Sequence, residues 1–172
     1  VKSRLKSFEV MGHETSKIEL IIMGGTFLEY PRKYKLSFIK KCYDGLNGIK
    51  SKNLDEAKKI NEKAEHRCIG LCIETRPDKC GKKEINEMLS YGATRVELGI
   101  QVLDDKIYKK IKRGHTVKDV IKATQLLKDS GFKVGYHLLP NLVSDAEEDL
   151  KLFKKVFDEQ EFRPDQIKIY PL

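Results

Sequence analysis

The sequence predicts an α/β fold organised as a partial (β/α) barrel of parallel strands, and three observations predict it. Five short apolar blocks rich in Ile, Val and Leu recur along the chain, charged stretches with helical spacing separate them, and each block alternates apolar with polar positions. Strand and helix in alternation give right-handed βαβ crossovers and a parallel sheet. A parallel strand covered on both faces reads as continuous apolar sequence. These strands each keep one polar face, as the wall of an open, ligand-filled barrel would.

The predicted strands are residues 17–23 (KIELIIM), 68–73 (CIGLCI), 94–100 (TRVELGI), 132–139 (FKVGYHLL) and 166–170 (QIKIY), each short, apolar and bounded by turn residues. In the third, Val96, Leu98 and Ile100 face one way and Arg95, Glu97, Gly99 and Gln101 the other. In the second, Ile69, Leu71 and Ile73 oppose Cys68, Gly70, Cys72 and Glu74. Lys17 and Glu19 share a face in the first strand, Lys133 and His137 in the fourth, Lys168 and Tyr170 in the fifth. Predicted helices cover residues 31–46, 54–64, 83–91, 104–112, 117–129 and 146–157. Thr116 with Asp119 forms a capping-box pattern before the fifth of these, Gly131 stops it, and Asn47-Gly48 turns the chain between the first two.

The chain has 172 residues, which bounds it to a single domain, residues 1–172, with room for a real core. It has no run of about 18 apolar residues and no charged-then-apolar leader at Val1 to Lys6, so neither a membrane span nor secretion is expected. Four cysteines are far too few for a disulfide scaffold and point to reduced thiols in a cytoplasmic protein. The net charge of +8 suits a nucleic-acid partner, although solvated lysines alone produce the same balance.

In parallel α/β folds ligands bind at the carboxyl ends of the strands. Here those ends are Met23-Gly24-Gly25-Thr26, the segment from Glu74 to Asp78, Gly99-Ile100-Gln101, the segment from His137 to Pro140, and Tyr170-Pro171. Adjacent glycines let a backbone approach a ligand closely, but they equally make a plain tight turn. Glu74, Glu97 and Gln101 suit a ligand with an amine and sugar hydroxyls, or else an internal salt-bridge network with Arg95, Lys17 and Lys133. Arg113-Gly114-His115-Thr116 offers free amides to an anion before a helix, or is an ordinary capped loop. Cys68 and Cys72 lie about 13 Å apart on an extended strand, too far for one compact site. They are expected to be structural, and no metal ligands are expected among this chain's own residues.

Taken in order, MGGTF (23–27), IETRPD (73–78), YGATRVELGIQ (91–101), RGHTV (113–117), FKVGYHLLPNL (132–142) and RPDQIKIYP (163–171) resemble the radical S-adenosylmethionine (SAM) domain of the Elongator catalytic-subunit family, the tRNA wobble-uridine carboxymethylating enzymes. The resemblance implies a partial barrel of radical SAM type holding a 4Fe-4S cluster and SAM. It implies acetyl-CoA as the source of the two-carbon unit and an acetyltransferase domain in the same polypeptide. In that chemistry a 5′-deoxyadenosyl radical from SAM abstracts hydrogen from the acetyl group, and the carbon radical adds to C5 of the uridine. Cluster ligands are expected upstream of Val1 and the acetyltransferase domain beyond Leu172, so the chain by itself is expected to be an inactive piece of a longer enzyme. Gly24, Gly25 and Thr26 match the segment contacting the methionine amino group, Glu97 and Gln101 match positions near the SAM ribose and carboxylate, and Lys17 matches a lysine associated with acetyl-CoA. Glu74, Arg76, His137, Lys168 and Tyr170 match pocket-facing positions, of which Glu74 and Arg76 are taken as cofactor-binding and His137, Lys168 and Tyr170 as catalytic. Elongator subunits and tRNA are the implied partners.

Two readings compete. A barrel lyase or aldolase would use Lys133 or Lys168 as a Schiff base, and a non-catalytic basic module would only grip tRNA. For RNA, the run Lys109-Lys110-Ile111-Lys112-Arg113 is expected at the barrel face opposite the chemistry, because a helix following a strand ends there. Lys79, Lys82 and Lys83 are expected nearer the mouth.

Overall fold

A computed structural model describes residues 1–24, 27–142 and 145–170. Five strands, β1 (Lys17–Ile22), β2 (Arg67–Thr75), β3 (Arg95–Gln101), β4 (Lys133–Leu138) and β5 (Gln166–Ile169), form one all-parallel sheet in sequence order. Seven helices accompany it among the described residues: α1 (Lys2–Val10), α2 (Arg32–Asn47), α3 (Leu54–Asn61), α4 (Lys82–Tyr91), α5 (Asp105–Lys110), α6 (Val117–Asp129) and α7 (Ala146–Asp158). Short 3-10 turns at Phe27–Glu29 and Pro77–Lys79 follow β1 and β2. The result is the predicted half-barrel.

The apolar strand faces pack against the helices. Val96, Leu98 and Ile100 of β3 are fully buried in one cluster with Ile39, Met88, Tyr91, Leu127 and Val156 from α2, α4, α6 and α7. Local signals end the helices where expected. Thr116 Oγ1 accepts from the Asp119 amide at 3.2 Å while Asp119 Oδ2 accepts from the Thr116 amide at 2.8 Å, closing the capping box of α6. Gly48 ends α2 in the left-handed conformation (φ 74°), where a side chain would be strained.

Helix α1 was not predicted. Leu5 is its sole buried residue, so the sequence carries no apolar stripe to detect. The alternation of β2 also breaks at its start. Ile18 pairs with Cys68 and Glu19 with Gly70, leaving Ile69 as the extra residue of a bulge. Ile69 is therefore 61% exposed instead of facing the helices, and Cys68 packs against the core instead of sharing the face of Cys72.

Asn61, at the end of α3, holds this bulge in place. Its Oδ1 accepts from the Cys68 amide at 2.7 Å, and its Nδ2 donates to Asn47 Oδ1 at 2.7 Å and to the His66 carbonyl at 3.0 Å. Asn61→Ala leaves these buried groups unpaired and is expected to cost about 2–3 kcal/mol in urea unfolding. A loss below half a kilocalorie would show that water replaces the amide.

Candidate active site

Parallel register brings the polar residues together. Glu74 of β2, Glu97 of β3 and Gly135 of β4 lie side by side, and His137 of β4 pairs with Lys168 of β5. Glu97, 1% exposed, is the hub of this concave face. Its Oε2 accepts from Lys168 Nζ at 2.6 Å and meets His137 Nε2 at 2.8 Å, while Arg95 Nη2 lies 3.4 Å from Oε1. Arg95 in turn reaches Glu19 at 2.7 Å. Gly135 leaves room for this hub, since a Cβ there would stand 3.0 Å from Glu97 Cγ and press on it. The Tyr170 ring flanks His137, centroid to centroid 5.5 Å.

Burial works against a charge on Glu97, but the bonds from Lys168 and His137 outweigh it and hold its pKa below the ordinary carboxylate value. Burial likewise disfavours the Lys168 ammonium, yet the bond to Glu97 raises its pKa, so Lys168 stays charged. A charged, paired lysine is no Schiff-base nucleophile. Lys133, 73% exposed and bridged to Asp165 at 3.0 Å, starts β4 at the far end of the sheet. The lyase reading therefore loses both of its lysines.

Glu74 is differently placed. One of its oxygens accepts from the Gly24 amide at 3.2 Å, and the other has no partner among the described residues. Gly24 has φ 110°, a left-handed conformation, and open space where a Cβ would lie. Gly25 and Thr26 lie outside the described residues. Gln101 ends β3, also with a positive φ of 73°. Arg76 is clamped to Asp78 by two bonds of 2.9 Å. Lys17 is not brought to the site. It is exposed at the amino end of β1, level with Arg67 and about 23 Å along the sheet from Glu74 by strand rise.

Arg113 was missed. Its Nη2 donates to the Gly99 carbonyl at 2.8 Å, and a Cβ on Gly99 would meet the same nitrogen at 2.8 Å, so the guanidinium lies over the lumen side of β3. It has no acidic partner within ion-pair distance among the described residues, and its buried Nε is unpaired. Burial and the neighbouring Arg76 pull its pKa down. The expectation that the 109–113 run sits opposite the chemistry is overturned. With six residues, α5 is about 9 Å long, too short to cross a barrel layer, whereas α6 with 13 spans about 20 Å. Thus α6 is the crossover and α5 stays at the carboxyl end of β3, where its Asp105 accepts from the Val117 amide at 2.7 Å. The signal available in sequence was two helices in a row between strands, the first, expected over 104–112, shorter than the second.

Next to Arg113, His115 is 4% exposed with both ring nitrogens unpaired, 4.4 Å from the Tyr108 ring. Burial and the Arg113 charge push its pKa down from 6.5 to about 4. The folded pKa being depressed, its contribution to stability is full above the unfolded value and is lost as pH falls towards the folded one. On the order of 3 kcal/mol should disappear between those two values. His115→Gln should flatten that limb of the stability curve; identical slopes in both proteins would assign it to other groups.

The cysteines do not form a cluster site. Cys72 and Cys80 are buried, and burial pushes both thiols up to about 12. Among the described residues the single group with metal-ligand proximity is Glu74, Glu97 and His137, and there Lys168 already occupies Glu97.

A parallel half-barrel with Gly24, carboxylates and a guanidinium without an acidic partner among the described residues at its strand ends points to a class. The chain belongs to the radical SAM superfamily, whose profile matches residues 4–154. It is 60% identical to the tRNA uridine(34) acetyltransferase of Methanocaldococcus jannaschii over 171 residues, which are 99% of this chain and 32% of the relative. With Elongator complex protein 3 of Homo sapiens it shares 43% identity over 99% of this chain and 31% of the relative. The chain thus spans about a third of the length of these curated relatives. Among solved structures, the archaeal Methanocaldococcus infernus Elp3 with an N-terminal deletion superposes with a TM-score of 0.98 at 57% identity, over 99% of this chain and 40% of that one. The methyltransferase TsrM from Kitasatospora setae shares the fold at a TM-score of 0.61 and 12% identity, over 98% of this chain and 29% of that one. No described helix is long and apolar enough to cross a membrane.

Proposed function

We propose that this chain is the SAM-binding core of an enzyme that carboxymethylates the wobble uridine of tRNA. The observation that carries the reading is Arg113, a guanidinium without an acidic partner among the described residues, near a wall whose Glu74 keeps one carboxylate oxygen open. SAM offers the matching set: a carboxylate, an ammonium and ribose hydroxyls on one small molecule. The high identity to tRNA uridine(34) acetyltransferases over the whole chain supports the substrate class.

Glu74 turns its free oxygen to the ligand ammonium while its other oxygen holds the Gly24 amide. Arg113 takes the ligand carboxylate, and Gln101 offers its amide to a ribose hydroxyl. Glu97 fixes His137 and Lys168 as one rigid charged wall, with Tyr170 beside it, against which the reacting groups are oriented. Lys168 keeps its proton and acts as a cation. When bound, SAM supplies the one-electron chemistry that activates the acetyl group of acetyl-CoA for attachment to C5 of the uridine. The thiols of this chain do not fit the 4Fe-4S cluster of such enzymes, and its residues act on SAM instead. Exposed Lys17 meets acetyl-CoA from outside the lumen. Assembly with further Elongator subunits is proposed on relationship to the human protein. Four free thiols suit a cytoplasmic setting.

Arg113→Met in the full-length protein tests the reading by calorimetric binding. Losing a charge-assisted pair is expected to weaken SAM by about 10–100-fold, while decarboxylated SAM binds both proteins alike. Equal weakening of both ligands would remove Arg113 from carboxylate recognition.

A further inference from the structure

The turn Phe27–Glu29 is bonded to Gly24 through its first amide, and a buried lysine holds it. Lys35, in the first turn of α2, is 5% exposed. Its Nζ donates to the Leu28 carbonyl at 2.6 Å and to Glu87 Oε2 of α4 at 2.6 Å. The Tyr91 hydroxyl donates to the other Glu87 oxygen at 2.6 Å. On the loop side, the Phe27 amide donates to the Gly24 carbonyl at 3.0 Å, and the Gly24 amide donates to Glu74 at 3.2 Å. A continuous set of bonds therefore runs from α4 through Lys35 and the turn to Gly24.

As a stabilising device this is a poor choice. Apolar residues of similar volume commonly match or better a buried ion pair, and a cation in the first helical turn opposes the helix macrodipole. An apolar side chain could not, however, donate to the Leu28 carbonyl. That bond fixes the direction of the Leu28 carbonyl, which the packing of Phe27 and Leu28 in the core with Ile85 and Met88 of α4 does not do.

We propose that Lys35 is a positioning residue that clamps the Leu28 carbonyl against α4 and thereby fixes the turn presenting Gly24 to SAM. The proposal rests on the reading of SAM as the ligand beside Gly24.

The test uses the full-length protein with Lys35→Met and Glu87→Met combined, which removes both buried charges and the donor to Leu28. The expected result is a melting temperature lowered by several degrees at most, since the Tyr91 hydroxyl and the Leu28 carbonyl lose their partners, amide exchange at Phe27 and Tyr30 accelerated at least tenfold, and a SAM Kd raised about tenfold. Glu87→Gln keeps the donor to Leu28, so it should lower the melting temperature yet leave the Kd within twofold. A double variant that binds SAM like wild type, keeps the two amides protected or fails to fold would overturn the proposal. So would equal weakening of SAM by Glu87→Gln. If wild type itself does not bind SAM, the reading of the site fails, and amide exchange still decides the clamp.

Discussion

Replacing Glu97 with alanine is expected to destabilise the protein by about 3–5 kcal/mol, a fall of roughly 6–20 °C in melting temperature for a chain of this size. The cause is the partners it leaves behind, the Lys168 ammonium, the Arg95 guanidinium and the His137 ring. Lys168 loses a bond of 2.6 Å, His137 one of 2.8 Å, and Arg95 keeps Glu19 as its one ion pair among the described residues. The pH profile identifies the hub. Because the folded pKa of Glu97 is lowered, its contribution is present above the unfolded carboxylate value and is lost as pH falls through the folded one. Because that of Lys168 is raised, its contribution is present below the unfolded lysine value and is lost as pH rises through the folded one. The variant should flatten both limbs of the stability curve measured by calorimetry. A loss under 1 kcal/mol, or a curve parallel to wild type, would show that the cations find water and that Glu97 is no anchor.

Much of this site is legible in sequence because a parallel sheet is a simple lattice. Once the five apolar blocks are recognised as strands, alternation alone puts Glu74, Glu97, His137, Lys168 and Tyr170 on one face, and the structure brings them together there. Alternation does not say which charge meets which. The sequence allowed Glu97 to pair with Arg95, Lys17 or Lys133; register leaves Lys17 and Lys133 at the amino end and brings Lys168 instead. Nor does it show where a strand departs from a period of two. The bulge at Ile69 depends on Asn61, a side chain from another element supplying the Cys68 amide with its acceptor. Arg113 escaped because its position follows from the length of α5, not from any apolar pattern.

The placement of α5 changes what is expected of tRNA. Both basic groups now frame the mouth: Lys79, Lys82 and Lys83 beyond β2, and Lys109, Lys110 and Lys112 beyond β3. Lys79 and Lys83 of the first group border a depression of about 690 Å³ that Arg32 also lines. A third basic region lies elsewhere. Residues 32–63, across α2 and α3, hold ten Lys and Arg against four Asp and Glu. Helix α2 runs away from the mouth for 16 residues, roughly 24 Å, so the loop after it sits near the amino ends of the strands. A nucleotide entering the lumen needs phosphate contacts around the mouth, not below it. Charge reversal of either mouth triple is therefore expected to weaken tRNA binding strongly and to reduce the salt slope by about 2–3. Lys79 is already bridged to Glu29 at 2.8 Å, which places the first triple at the lower end of that range. Reversal of Lys50, Lys52 and Lys59, all exposed, should change the slope by less than about 1. Titration of labelled tRNA into the full-length protein at several salt concentrations reads all three variants. Equal losses from the three would mean that the RNA senses only net charge, and the mouth would lose its claim to the substrate.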